Sequence, residues 1–256
     1  MCATCGCSSP THAHDHAHEP LHSHAEPSGT SRRLLALERD ILAQNDRLAE
    51  HNRGWLTGRG VLGLNLMSSP GAGKTSLLER TIRDLADMLT IAVIEGDQAT
   101  ERDAERIRAA GARAVQINTG TMCHLDASIV RQALVELDPV PGSVVAIENV
   151  GNLVCPALFD LGEHARVVVV TVTEGDDKPL KYPHMFHAAD LVVLNKLDLL
   201  PHVDFDVASC LGRARQINAS LTSFEVSARS GQGLGGWYEW LLASAQGVRL
   251  RQIAAS

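Results

Sequence analysis

The sequence predicts an α/β fold, a mostly parallel sheet with helices on both faces, preceded by a tail without regular structure. Three observations carry this. From residue 61 onward, short runs of Val, Ile and Leu recur without polar alternation, as strands buried on both faces require. Amphipathic helix-like stretches separate them, the alternation that builds a parallel sheet. A glycine-bearing turn ends the first run and opens a helix-like stretch, the setting a phosphate-binding loop needs.

The elements follow in order. Residues 1–30 hold Cys2, Cys5 and Cys7 and a run of histidines with almost no large apolar side chain. Such a segment buries too little surface to offset its ordering entropy, so it reads as a disordered tail. Thr30 or Ser31 is placed to cap a helix reaching about Asn52, with Leu34, Leu37, Ile41 and Leu48 near helical spacing. Gly54, Gly58 and Gly60 predict a break and linker to residue 58. A domain over 59–247 then alternates: strand 61–67, helix 76–88, strand 90–95, helix 101–110, strand 114–118, helix 125–137 and strand 143–148. Strands 167–172 and 191–194, helix 206–219, strand 222–226 and helix 237–245 complete it, leaving 248–256 as a C-terminal tail.

The turn Ser68-Ser69-Pro70-Gly71-Ala72-Gly73-Lys74-Thr75 reads as a P-loop. Gly71, Ala72 and Gly73 form its cradle, the glycines letting backbone N–H groups curl towards phosphate oxygens, and the helix opening at Lys74-Thr75-Ser76 adds its positive end. Lys74 is placed to reach the β- and γ-phosphates, and the Thr75 hydroxyl to bind Mg²⁺. Ser68 stands where the usual pattern has glycine.

In a parallel sheet the ligand sits at the carboxyl ends of the strands. One strand ends in Glu95-Gly96-Asp97 and another in Glu148-Asn149-Val150-Gly151, so Asp97 and Glu148 are expected to hold Mg²⁺ directly or through water. The second tetrapeptide resembles an acidic-x-x-Gly switch. Asn195-Lys196-Leu197-Asp198 ends a later strand and resembles a guanine-specificity motif. A carboxylate at Asp198 accepts from both guanine N1–H and the exocyclic amine, an arrangement adenine lacks. Asn195 is expected to tie this loop to the P-loop and the Lys196 stem to cover the base. Ser227-Ala228 resembles the loop whose backbone N–H recognises guanine O6. GTP is thus favoured over ATP. Asn152 stands where a water-positioning Gln would be sought, and no arginine finger is assignable, so intrinsic hydrolysis is expected to be slow.

Two groups point to transition metals. Cys2-x-x-Cys5-Gly6-Cys7 brings three thiols within six residues, which suits square-planar Ni²⁺ or tetrahedral Zn²⁺, with a redox pair as the other reading. The histidine tract suits loose metal buffering. Cys123-His124 and Cys155 lie beside the switch. They form a second candidate site that a two-fold dimer would complete, with Asp126 placed to orient His124. Buried small hydrophobes are the alternative for these cysteines, and Cys210 reads as core.

The chain is 45% hydrophobic and 21% charged with a formal net charge of −7, which gives no support to a nucleic-acid binder. No apolar run approaches the ~20 residues that span a bilayer, and the N-terminus does not read as an export signal, so the cytoplasm is the expected compartment.

Taken together these stretches resemble the HypB family, the nickel-incorporation GTPases of hydrogenase maturation. The resemblance runs from Met1-Cys2-Ala3-Thr4-Cys5-Gly6-Cys7 through the P-loop and Glu95-Gly96-Asp97 to Thr119-Gly120-Thr121-Met122-Cys123-His124-Leu125-Asp126. It continues in Glu148 to Pro156, Thr173 to Pro183 and Asn195 to Asp198, and Ser68 matches that pattern. It implies a P-loop NTPase of the signal-recognition-particle/MinD (SIMIBI) type that binds GTP/GDP with Mg²⁺ and forms a GTP-dependent homodimer. It also implies a Ni²⁺ or Zn²⁺ site at Cys123, His124 and Cys155. Its partners would be a HypA-type nickel chaperone and a hydrogenase large-subunit precursor, with no nucleic acid or membrane. For Thr173 to Pro183 it suggests only an approach of Lys178 to a partner subunit's nucleotide. A urease-type nickel GTPase, a nickel store and an ATP-driven partitioning protein are the competing readings. The N-terminal cysteines and Cys123-His124 weigh against the first, the intact loop motifs against the second, and Asp198 against the third.

Overall fold

The computed structural model describes residues 29–97, 102–120 and 124–255. Cys2, Cys5, Cys7, the histidine tract and Cys123 lie outside the described residues. The chain divides into two compact units, Met1–Glu38 and Arg39–Ser256. The described part of the first is the opening of helix α1, Gly29–Gly58.

The second unit holds seven strands: β1 Leu62–Ser68, β2 Ile91–Asp97, β3 Arg113–Asn118, β4 Val144–Glu148, β5 Ala165–Thr171, β6 Leu191–Asn195 and β7 Thr222–Glu225. They form one sheet in the order β3-β2-β4-β1-β5-β6-β7, and every neighbouring pair is parallel. Composition explains the order. β1, β4 and β6 are buried at every position and lie inside. β3 and β7, which carry polar residues and expose their ends, are the edges. Along each inner strand successive side chains enter opposite layers. Val167, Val169 and Val193 join the layer of Leu77, Ile82, Ile107 and Trp237, while Val168, Val170 and Val192 join that of Phe186, Cys210 and Leu211. A third cluster packs Ala92, Ile94, Val145 and Ile147 against Leu56, Val130 and Leu134.

The helices are α2 Lys74–Asp84, α3 Arg102–Ala109, α4 Ala127–Leu137, α5 Lys178–Lys181, α6 Pro183–Ala188, α7 Val207–Ile217 and α8 Leu234–Ala255. Several bounds differ from the sequence reading. α1 passes through Gly54 to Gly58, because Asn52, Arg53 and Leu56 anchor both sides of the glycine: Asn52 Nδ2 donates to Ala127 O and Leu161 O at 2.8 and 3.1 Å, Arg53 pairs with Asp160, and Leu56 is fully buried. α2 ends at Asp84, earlier than expected. Leu85 and Leu89 continue the buried pattern from a turn in which Leu85 N–H closes on Thr81 O, so apolar spacing outlasts the helix. α4 starts at Ala127 because Asp126 is its cap, accepting from Ile129 N–H at 2.9 Å. α8 extends from Leu234 to Ala255 where a helix over 237–245 and a tail were expected, and fully buried Val248 fixes its later turns. α5, α6 and the 3-10 turns Cys155–Ala157 and Leu197–His202 are too short for a periodic signal.

Candidate functional site: a nucleotide cleft beside a cysteine–histidine segment

β1 sits where strand connections turn from one half of the sheet to the other, the position at which open α/β sheets bind ligands. The P-loop leaves its carboxyl end. Gly71 and Gly73 have φ of 72° and 94°, which a side chain would strain, and a Cβ on Gly73 would lie 2.7 Å from Asn195 Nδ2. Ser68 Oγ accepts from Lys74 Nζ at 3.0 Å and donates to Ser69 O at 2.6 Å, so the residue in the first glycine's place orients the lysine. Thr75 Oγ1 donates to Glu148 Oε1 at 2.8 Å, with Lys74 Nζ 3.9 Å from the same oxygen.

Register places Glu95 of β2 beside Glu148 of β4, both buried. Glu95 Oε2 and Glu148 Oε2 have no hydrogen-bond partner. Burial, then the neighbouring Glu148 carboxylate, pushes the Glu95 carboxyl up to about 10. Burial also raises Glu148, while Lys74 and Thr75 favour its anion. Two unpartnered carboxylate oxygens beside a threonine hydroxyl are the hard oxygen set a Mg²⁺ ion takes. Sequence reasoning gave that place to Asp97 and left Glu95 out. The backbone of Asp97 closes β2, and its side chain is outside the described residues.

Two clefts of about 540 and 500 Å³ share Gly73, Ser76 and Lys196. The first is lined by the P-loop, Glu95, Glu148 and Gly151, the second by Asn195, Lys196, Asp198, Ala228 and Arg229. Carboxylates and loop amides at one end and the Asn-Lys-Leu-Asp turn at the other give the site a phosphate end and a base end. Asn195 Nδ2 donates to Ala72 O at 3.1 Å, and Asn195 Oδ1 accepts from Ala228 N–H at 3.1 Å, so one side chain joins three loops. Asp198 Oδ1 accepts from Ser227 Oγ at 2.6 Å, which fixes the carboxylate. Lys196, at a left-handed φ of 63°, reaches Gly71 O at 2.7 Å.

Arg106, which the sequence reading left without a role, and Lys178, which it placed near a partner subunit's nucleotide, both bond residues of the P-loop and the helix that follows it. Arg106 of α3 bonds Ser76 Oγ at 3.1 Å and Glu79 at 2.6 Å on the cleft wall. Lys178 Nζ donates to Ser69 Oγ and pairs with Glu174 at 3.2 Å, so within one protomer it already meets the P-loop. Its place in Thr173 to Pro183 was the available signal.

His124 stacks on Phe159 with ring centroids 4.0 Å apart, and Phe159 lies just past the turn that begins at half-buried Cys155. Burial lowers the His124 pKa and Asp126 opposes this weakly, which favours the neutral imidazole a metal needs. Asp126 is engaged in capping α4. Among the described residues no group of three His, Cys, Asp or Glu side chains has metal-site geometry, and Cys123 is not among them. Cys210 is core, with its thiol raised to about 11 by burial.

This loop, this sheet order and these strand-end motifs define a P-loop nucleotide-binding protein of the GTPase type. The family model described as "CobW/HypB/UreG, nucleotide-binding domain" matches residues 63–225. A hydrogenase maturation factor HypB of Rhizobium leguminosarum bv. viciae is 56% identical, over 90% of this chain and 77% of that one. Two crystal structures are similar. HypB from Archaeoglobus fulgidus has a TM-score of 0.75 at 42% identity, covering 80% of this chain and all of that one. HypB from Helicobacter pylori in complex with nickel has a TM-score of 0.74 at 38% identity, covering 80% and 96%. The chain belongs to the HypB family of hydrogenase maturation factors. None of its described helices is long and apolar enough to cross a membrane.

Proposed function

We propose that the protein is a cytoplasmic, GTP-hydrolysing nickel metallochaperone that delivers Ni²⁺ to a nickel–iron hydrogenase large-subunit precursor. GTP-dependent dimerisation gates a site made by Cys123, His124 and Cys155. The observation that carries it is the continuity of one segment. Glu148, bonded to the P-loop Thr75, and Cys155 lie seven residues apart, with Gly151 against Pro70 between them. A change at the γ-phosphate end therefore acts on a candidate metal ligand by a short covalent route.

In this reading Lys74 and the loop amides bind the phosphates. Thr75, Glu148, Glu95 and Asp97 surround Mg²⁺, which offsets charge on the phosphates when bound. Asp198, held by Ser227, selects guanine, and Ala228 lines the same end. Water cleaves the γ-phosphate to give GDP and phosphate, and loss of those contacts releases the switch. Asn152 Oδ1 accepts Val154 N–H at 2.8 Å, a turn contact in place of water-positioning, which supports slow turnover, on the order of 10⁻² s⁻¹ or below. The tail thiolates of Cys2, Cys5 and Cys7 load or hold Ni²⁺ or Zn²⁺, and a HypA-type chaperone is the expected partner in transfer. The deciding experiment is sizing of the full chain with GDP and with a non-hydrolysable GTP analogue, alongside GTP and ATP turnover. A dimer fraction that rises with the GTP analogue, with hydrolysis of GTP alone, is expected. An unchanged monomer, or ATP turned over equally well, overturns the reading.

A further inference from the structure

Asn149 is 1% exposed, borders the phosphate end of the cleft next to Glu148, and also touches the segment that carries His124. Its Oδ1 accepts Val150 N–H at 3.0 Å, within the switch, and Leu125 N–H at 3.3 Å, on the residue directly after His124. Its Nδ2 donates to Asn65 Oδ1 at 3.3 Å, deep in β1. Two amide donors on one side and a carbonyl acceptor on the other fix which way the side chain faces. Asn65 is itself held, donating to Glu163 Oε1 at 3.2 Å, and Glu163 Oε2 accepts Leu161 N–H at 2.7 Å. The main chain of Asn149 is pinned too, its N–H donating to Leu66 O at 3.0 Å.

Leu125 is equally confined. It is fully buried, and its side chain fills the space over Gly96 at the end of β2, where an added Cβ would sit 2.9 Å from Leu125 Cδ1. A shift of residues 148–151 has two outcomes at Leu125. Either Leu125 follows, carrying His124 with it, or its buried N–H loses its partner, which is the costly alternative.

We propose that Asn149 is a positioning residue that couples the nucleotide switch to the metal segment, by sharing one carbonyl oxygen between the amides of Val150 and Leu125. This rests on the nucleotide-gated metal site proposed above and names the contact through which gating passes. The coupling it carries is measurable as a thermodynamic cycle.

The experiment uses the full-length chain carrying Cys2→Ala, Cys5→Ala and Cys7→Ala, so that the tail thiolates do not mask the other site. Ni²⁺ affinity is titrated with GDP and with a non-hydrolysable GTP analogue, with and without Asn149→Ala. The ratio of the two affinities is the readout, since a purely structural loss would lower both and leave their ratio intact. With Asn149 present the expected ratio is at least about fivefold from one. With Asn149→Ala it is expected to fall to within twofold of one. A ratio unchanged by Asn149→Ala overturns the relay and leaves the gated site standing. A ratio of one with Asn149 present overturns the gated site and the relay together. A second measurement needs no variant, so misfolding of Asn149→Ala cannot obscure the outcome. Amide hydrogen exchange at Leu125 should differ between the two nucleotide states in the unaltered protein, and identical Leu125 exchange in both states overturns the relay.

Discussion

In the proposed reading Asp198 is the side chain that selects guanine. Its carboxylate is oriented by Ser227 and lines the base end of the cleft. Removing it deletes two charge-assisted hydrogen bonds to guanine, about 3 kcal/mol or more. Asp198→Ala is therefore expected to weaken GTP binding by about 100-fold or more in calorimetry and to leave ATP binding unchanged. A different residue sets a pH dependence. His164 Nδ1 accepts Gly63 N–H at 2.9 Å and its Nε2 lies 2.9 Å from Thr57 Oγ1, whose proton goes to Arg53 O. The network requires a neutral ring with the proton on Nε2, and burial with Arg251 and Arg53 nearby lowers its pKa to about 4. The unfolded chain binds that proton at about 6.5, so this contribution is full above 6.5 and lost as pH falls towards 4. It amounts to at most about 3 kcal/mol, less whatever solvent screens at this partly exposed ring. Urea midpoints should fall over that window, and His164→Gln, which keeps an acceptor for Gly63, should flatten the fall. At this scale the motif residues were legible because their chemistry resides in adjacent positions. Glu95 and Asn149 were not. Their placement depends on β2 lying against β4 and on Leu125 reaching the turn after β4, pairings that sequence distance conceals.

Among the elements, the P-loop and the segment after β4 line one cleft and meet closely where Gly151 faces Pro70. A Cβ on Gly151 would lie 2.9 Å from Pro70 Cα, a backbone atom that cannot swing away. Gly151→Ala is expected to displace the switch from the loop and to cut GTP kcat/KM by about 10²-fold. Wild-type turnover in that variant would show that the approach has no part in the chemistry. The inner strands were readable because unbroken Val, Ile and Leu runs have no use outside a covered parallel sheet. The ends of α1 and α8 differ from the sequence reading, since Gly54 punctuates the first and the second was expected to stop at 245, while Leu56 and Val248 keep those helices packed. Asp126, read as a partner of His124, acts on that ring through its charge and also starts α4 as its cap.

For the whole molecule, the sheet brings the nucleotide cleft and the proposed metal segment to one rim. The carboxyl ends of β1, β2 and β4 carry the phosphate end of the cleft, and the segment after β4 leads directly to Cys155. A ligand that binds only the folded state stabilises it, so GTP with Mg²⁺ at 100 times its Kd should add about 2.7 kcal/mol to the stability of the second unit. Gating demands more, that the two nucleotide states differ in how they hold metal. The most direct measurement is Ni²⁺ binding to the full chain with GDP and with a non-hydrolysable GTP analogue, repeated with Cys123→Ala. The account predicts that affinity or stoichiometry changes with the nucleotide and that Cys123→Ala abolishes the change. Identical Ni²⁺ binding in both nucleotide states would contradict it, leaving a metal-holding tail attached to an independent GTPase.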